Sequence, residues 1–158
     1  MALPQFANPR KKFNWTIEFA PFVFNPFKCQ KVTLPDIDIE QDAHGDANID
    51  IKTAGRITLG NLVLEKLMAS SEGDNLIFRW AELCQSSLLK GGLPPSEYKG
   101  TAIVTEFAED GQTPLNVWNL FGVWPTKING LDLNRMESGN SIEAVESSVD
   151  AMSKVNSK

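Results

Sequence analysis

The stretch TAIVTEFAEDGQTPLNVWNLFGVWP, residues 101–125, holds two runs of strand character on either side of a polar turn centred on Asp110-Gly111. Asp-Gly between such runs is among the strongest short-range hairpin signals, because both residues tolerate the positive φ that a tight, twisted turn requires. The reading is a strand over 101–107, a turn over 109–112, and a partner strand from Leu115 to Trp124 that Pro125 ends. Working outward, Phe13 to Phe19 alternates four apolar with three polar residues, the period of a half-buried strand. Pro21, Asn25 and Pro26 then break the pattern, so Ala20 to Phe27 reads as an irregular connection. Strand character resumes over Lys28 to Leu34 and at Ile37 and Ile39, with Pro35 between them marking an edge or a bulge. Gln41 to Asn48 is polar and contains Gly45, which makes it a hairpin tip. Ile49 and Ile51 alternate with Asp50 and Lys52 on the return, and Leu62-Val63-Leu64 follows as a more buried strand. Val32 to Lys66 is thus a long, charged hairpin feeding an inner strand.

One segment changes period. Leu76, Ile77, Trp80, Leu83, Cys84 and Leu88 fall at helical spacing. Asp74 is the expected N-cap, and Gly91-Gly92 followed by Pro94-Pro95 is the expected stop. A helix of about 15 residues would run roughly 23 Å, enough to cover one face of a small sheet. Turns follow at Asn129-Gly130 and at Ser138-Gly139-Asn140. The C-terminal segment is readable both ways. Ile142, Val145, Val149 and Met152 fit a helix, while Val145, Ser147, Val149 and Ala151 fit one strand face; spacing alone leans towards the helix.

Composition narrows the function. The 158 residues suit one domain, with residues 1–11 as an N-terminal arm and 153–158 as a flexible tail. No apolar run approaches the ~18 residues that span a bilayer, so no membrane insertion is expected of this chain. Met1 to Lys12 lacks the apolar core of a secretory signal. Cys29 and Cys84 have no metal-type spacing and read as free thiols of a reducing compartment. A net charge of −5, with Arg10-Lys11-Lys12 as the only basic cluster, argues against a protein that grips DNA along its phosphates. The single histidine, His44, lies in a polar tip, and no nucleophile elbow, P-loop or HExxH occurs. Asp42, His44, Asp46, Asn48 and Asp50 imitate a calcium loop only superficially. Gly45 falls fourth rather than sixth, and Thr53 replaces the closing Glu. The expectation is no enzyme, no metal and no cofactor.

Residues 117–134, VWNLFGVWPTKINGLDLN, resemble the tail tube proteins of contractile-tailed bacteriophages and related contractile injection systems. That family has a strand ending in Trp-Pro and then a turn with Gly, Asp and Asn; Trp118, Trp124, Pro125 and Gly130 carry the motif here. Gly139-Asn140-Ser141-Ile142-Glu143-Ala144-Val145-Glu146 falls where the family's Gly-Asn stretch and final strand lie. The order of the other elements is similar from Lys12 to about Met152. The resemblance implies a mainly β fold, with two antiparallel sheets in a sandwich or small barrel, one flanking helix and a long protruding hairpin. It also implies hexameric rings stacked into a hollow tube in the virion, assembled in the host cytoplasm. The implied partners are further copies, tail sheath, baseplate and tail terminator, with DNA passing through. A tube delivering protein effectors and a stand-alone β-sandwich binding module are the alternatives. Asp36, Asp38, Glu40, Asp42, His44, Asp46, Asp50 and Lys52 on the hairpin are the expected subunit contacts. Glu65, Glu106 and Glu109 are candidates for an acidic lumen, against the competing expectation of a neutral lumen of Ser, Thr and Asn.

Overall fold

A single glycine separates the two sheets. In the computed structural model, which describes residues 14–20, 29–46, 48–67, 76–86, 88, 90–129, 133–139 and 142–156, the longest strand, β7 (Pro114–Ile128), belongs to both. Its first half pairs with β6 (Gly100–Phe107) on one flank and β9 (Ala151–Asn156) on the other. Its second half, from Trp124, pairs with β8 (Ile142–Ser148). Between the halves Gly122 has φ +66°, and a Cβ built there would lie 2.2 Å from Oδ2 of Asp150. Only glycine fits that bend. The front sheet therefore runs β1 (Trp15–Ala20), β6, β7, β9, all antiparallel. The back sheet runs β7, β8, β5 (Leu62–Leu67), β2 (Cys29–Thr33).

The core lies between the sheets, where alternation places every second side chain. Ile17, Phe19, Ala102, Val104 and Leu120 come from the front sheet, and Leu62, Leu64 and Val145 from the back. The helix α1 (Leu76–Cys84) adds Ile77 and Trp80. Trp80 meets Phe19 edge-on, with ring centroids 5.8 Å apart, and its indole N–H donates to the Tyr98 carbonyl at 2.6 Å. That carbonyl closes α2 (Pro95–Tyr98), a short turn of helix behind the expected Pro-Pro stop. α1 is shorter than its spacing suggests. The Leu93 N–H donates to the Leu83 carbonyl, the chain turns away, and Leu88 is left 87% exposed. Asp74, the expected cap, lies outside the described residues.

Two expectations need correction, and one open reading is decided. The C-terminal segment, readable both ways, is strand: residues 142–148 fill the gap between β5 and the second half of β7, and residues 151–156 cover the open flank of the first half. Two unsatisfied ladders outweigh a weak periodicity. Residues 153–156, expected in a loose tail, are consequently part of β9. Pro125 does not end its strand. Past Val123, β6 no longer flanks β7, so at Pro125 the strand is paired with β8 alone, at a register shift that accommodates proline, and continues to Ile128.

The hairpin stands apart as its own two-stranded sheet, β3 (Ile37–Asp46) with β4 (Ile49–Leu59). Its strands run through most of the segment expected as a loop tip. The Gly60 N–H donates to the Asp36 carbonyl at 2.9 Å and closes its base.

Candidate functional site

No group of three His, Cys, Asp or Glu side chains is placed to hold a metal among the described residues, and none of the helices there is long and apolar enough to cross a membrane. Cys84 keeps a free thiol, and its burial pushes the thiol pKa up. What the described residues offer instead is exposed apolar surface and strand edges.

The first such surface is the hairpin. Register puts Asp38, Asp42 and His44 on one face of β3, opposite Thr58, Thr53 and Ile51 of β4, with Glu40 at the register shift between them. Asp50 and Lys52, opposite Gly45 and Ala43, fall on the other face, and Asp36 sits at the base. Asp46 is the last strand position, paired with Ile49. The expected contact residues thus divide between two faces. A register shift between Ile39 and Gln41 moves the apolar stripe across as well. Gly55 lies at this bulge; a Cβ there would come within 2.9 Å of Oδ2 of Asp42. Ile37, Ile39 and Ile57 share the base of one face with Leu59, which packs on the core, while Ile49 and Ile51 lie on the other face near the tip. All five isoleucines are more than half exposed. A two-stranded ribbon is marginal by itself, and five exposed isoleucines give this one an apolar surface on both faces. Sequence reading emphasised the acids and passed over the isoleucines, though their alternation was visible.

The second surface is the front sheet. β1 and β9 are its two outer strands, each paired on one side only among the described residues. Register across the sheet gives inward rows Trp15–Glu106–Asn116, Ile17–Val104–Trp118–Lys154 and Phe19–Ala102–Leu120–Met152. The outward rows are Thr16–Thr105–Val117–Val155, Glu18–Ile103–Asn119–Ser153 and Ala20–Thr101–Phe121–Ala151. Ile103, Phe121 and Val155 on this outward face are 40–55% exposed. Glu18 is the only ionisable side chain in those three rows. Lys99 and Asp150, at the end next to Ala20 and Phe121, neutralise one another at 2.6 Å.

The three acids expected to line a channel are not gathered on one face. Glu65 is opposite Ala144 and Lys31, pointing away from the core-facing Leu64 on the back sheet. Glu106 faces inward and lines a cleft of about 440 Å³ with Trp15, Lys31, Val32, Leu34 and Trp118. Glu109 is in the exposed turn before β7. Beside it, Asp110 accepts from the Thr113 hydroxyl at 2.6 Å and from the Thr113 and Gln112 N–H groups at 2.9 Å. Those bonds, the Thr113 side chain first, hold its carboxyl down at about 2.

The Trp-Pro motif is built into the sheets. Trp118 faces the cleft with the Lys154 ammonium 5.5 Å from its ring centre. Trp124 is half-buried, edge-on to Tyr98 with centroids 5.7 Å apart, and Pro125 is buried opposite Ser147. Gly130 lies outside the described residues.

The sequence model of the T4-like virus tail tube protein gp19 family matches residues 11–153. Tail tube protein gp19 of Enterobacteria phage T4 is 29% identical over 123 residues, 76% of this chain and 74% of that protein. Among solved structures, the tube-terminating cap of the anti-feeding prophage superposes with a TM-score of 0.80 at 14% identity, covering 99% of this chain and 97% of the other. The sheath–tube complex of an extracellular contractile injection system, PVC, in its extended state contains a chain with TM-score 0.73 at 14% identity, covering 94% and 93%. At these identities the two structures speak to the fold alone.

Proposed function

Since the chain belongs to the T4-like virus tail tube protein gp19 family, a structural family of contractile phage tails, we propose that its copies join front sheet to front sheet into hexameric rings that stack as the inner tube of such a tail. One observation carries this reading: the front sheet has two outer strands, β1 and β9, each with one flank unpaired among the described residues. A row of open N–H and C=O groups is a template for another strand. Joining the β1 edge of one copy to the β9 edge of the next is a heterologous contact, and a heterologous contact whose rotation closes makes a ring. The inward face of the sheet carries the back sheet and α1, so it needs the larger circumference. The uncovered outward face then turns towards the lumen.

Stacking falls to the hairpin, whose exposed isoleucines and acidic rows meet the neighbouring ring. The tube's outer surface, bearing the back sheet, is where sheath would seat, with baseplate and terminator at the two ends. Assembly takes place in the host cytoplasm, and DNA passes through the finished virion tube. A nearly uncharged wall suits passage, because a basic one would hold the phosphates by counterion release.

Electron microscopy of the purified full chain, paired with size-exclusion chromatography, tests the proposal. Rings or tubes are expected. A clean monomer at every concentration would overturn it in favour of a stand-alone sandwich module.

A further inference from the structure

We propose that the cleft between Trp15 and Trp118 is a binding site for a small organic cation, an ammonium group carried on an apolar stem. The proposal rests on the cleft alone and stands apart from ring assembly. Strand order creates the opening. The path β1-β6-β7-β8-β5-β2 leaves β1 and β2 at its two ends, unpaired with one another, so the sandwich has a seam between them. Ile17 and Val104 fill the inner part of that seam and are almost wholly buried. Beyond them the packing stops. Trp15 of β1, Glu106 of β6 and Trp118 of β7 line a cleft of about 440 Å³ with Val32 and Leu34 from the β2 side.

The lining selects the sign of the ligand. A cleft of this size, apolar and aromatic with few polar groups, has the composition of a small-molecule site. Glu106 is the carboxylate that faces into it. Its two oxygens offer about four acceptor positions, so it takes an ammonium alongside any donor it already holds. Lys31 also borders the cleft, but register sets it beside Glu65, on the opposite side of β2 from the inward Val32. The ladder thus turns its charge towards Glu65 rather than Glu106. The indole faces favour a cation as well, through the ring quadrupole. Trp118 already does this on its other flank: β9 and β6 lie on opposite sides of β7, and Lys154 of β9 holds its ammonium 5.5 Å from the ring centre. Val32 and Leu34 give the stem an apolar wall, as such stems prefer. An anion would meet both the carboxylate and the ring faces with the wrong sign.

The test titrates the purified full chain at neutral pH with n-hexylamine, hexanol and hexanoate, reading tryptophan emission and melting temperature. Hexylamine should give a saturable change in emission and raise the melting temperature. Hexanol should bind ~10-fold or more weakly, the loss of one charge-assisted bond, and hexanoate more weakly still. Glu106→Gln should bring hexylamine down to the level of hexanol and leave hexanol unchanged, which a collapsed cleft would not do. No saturable change with hexylamine by ~10 mM, equal binding of hexylamine and hexanol by the wild type, or hexylamine binding untouched by Glu106→Gln would overturn the proposal. The wild-type comparison decides the matter even where the variant fails to fold. Hexylamine binding that disappears as the protein is concentrated, with the amine in excess, would overturn it too and give the cleft to a neighbouring copy.

Discussion

At the scale of single residues, the decisive position is Gly122, and its importance comes from what touches it. Asp150 is held by its N–H to the Phe121 carbonyl and by its carboxylate to Lys99, so it cannot retreat from an added Cβ. Gly122→Ala should cost ~1–2 kcal/mol for the left-handed backbone alone, and more for the collision; urea unfolding would measure it, and adding Asp150→Ala should recover only the collision. Asp110 gives a pH signature. Its folded value of about 2 lies below the ordinary 3.8, so its stabilisation is whole above that ordinary value and drains away as pH falls towards 2. The gap in urea midpoint between wild type and Asp110→Ala should therefore close over that window, and a gap independent of pH would contradict the assignment. Trp124 is half-buried against Tyr98, so Trp124→Ala should cost ~2 kcal/mol, short of the ~3–5 of a fully buried tryptophan. An unchanged melting temperature would point to a binding role. Of these residues Asp110 was legible beforehand because its turn is written in adjacent letters, and Trp124 through the Trp-Pro motif of the family resemblance. Gly122 reads as an ordinary residue until Asp150, distant in sequence, is placed beside it.

At the scale of elements, what could be read was whatever depends on neighbours in sequence. β6, the turn and β7 came from alternation around Asp-Gly, and α1 from its apolar spacing. The C-terminal strands did not, because their inward side chains include Glu143 and Ser147 as well as Val145; polar residues facing the core erase the two-residue period on which a strand is recognised. Pro125 misled for a related reason, since its cost depends on whether β6 still lies alongside. The hairpin was placed correctly but its sheet was underestimated. β3 and β4 pair with each other and with no other strand described, so deleting Asp42 to Asn48 should leave the melting temperature of the body nearly unchanged while abolishing tubes. Normal tubes from that variant, seen by negative stain, would remove the hairpin from the stacking contact.

At the scale of the whole molecule, the family resemblance implied two sheets, one helix and a hairpin, but not which strands lie at the edges, on which the proposed ring closure turns. Edge identity is a property of the complete strand order, which no local pattern encodes. It also makes β9 separable: a chain ending at Asp150 keeps β1, β6 and β7 paired but uncovers the flank of Leu120 and Trp118 next to Met152 and Lys154. That truncation should retain a β-type circular dichroism spectrum, lower the melting temperature by several degrees, and fail to close rings. Rings from the truncated chain would show that closure does not use β9. The sharing of β7 has a mechanical consequence. Two sheets held together only by side-chain contact can slide when a column of rings is pushed along its axis, because such packing resists shear weakly. Here one uninterrupted backbone is woven into both, so a thrust received by either sheet reaches the other through covalent bonds, and the subunit behaves under load as a truss with a tie rod.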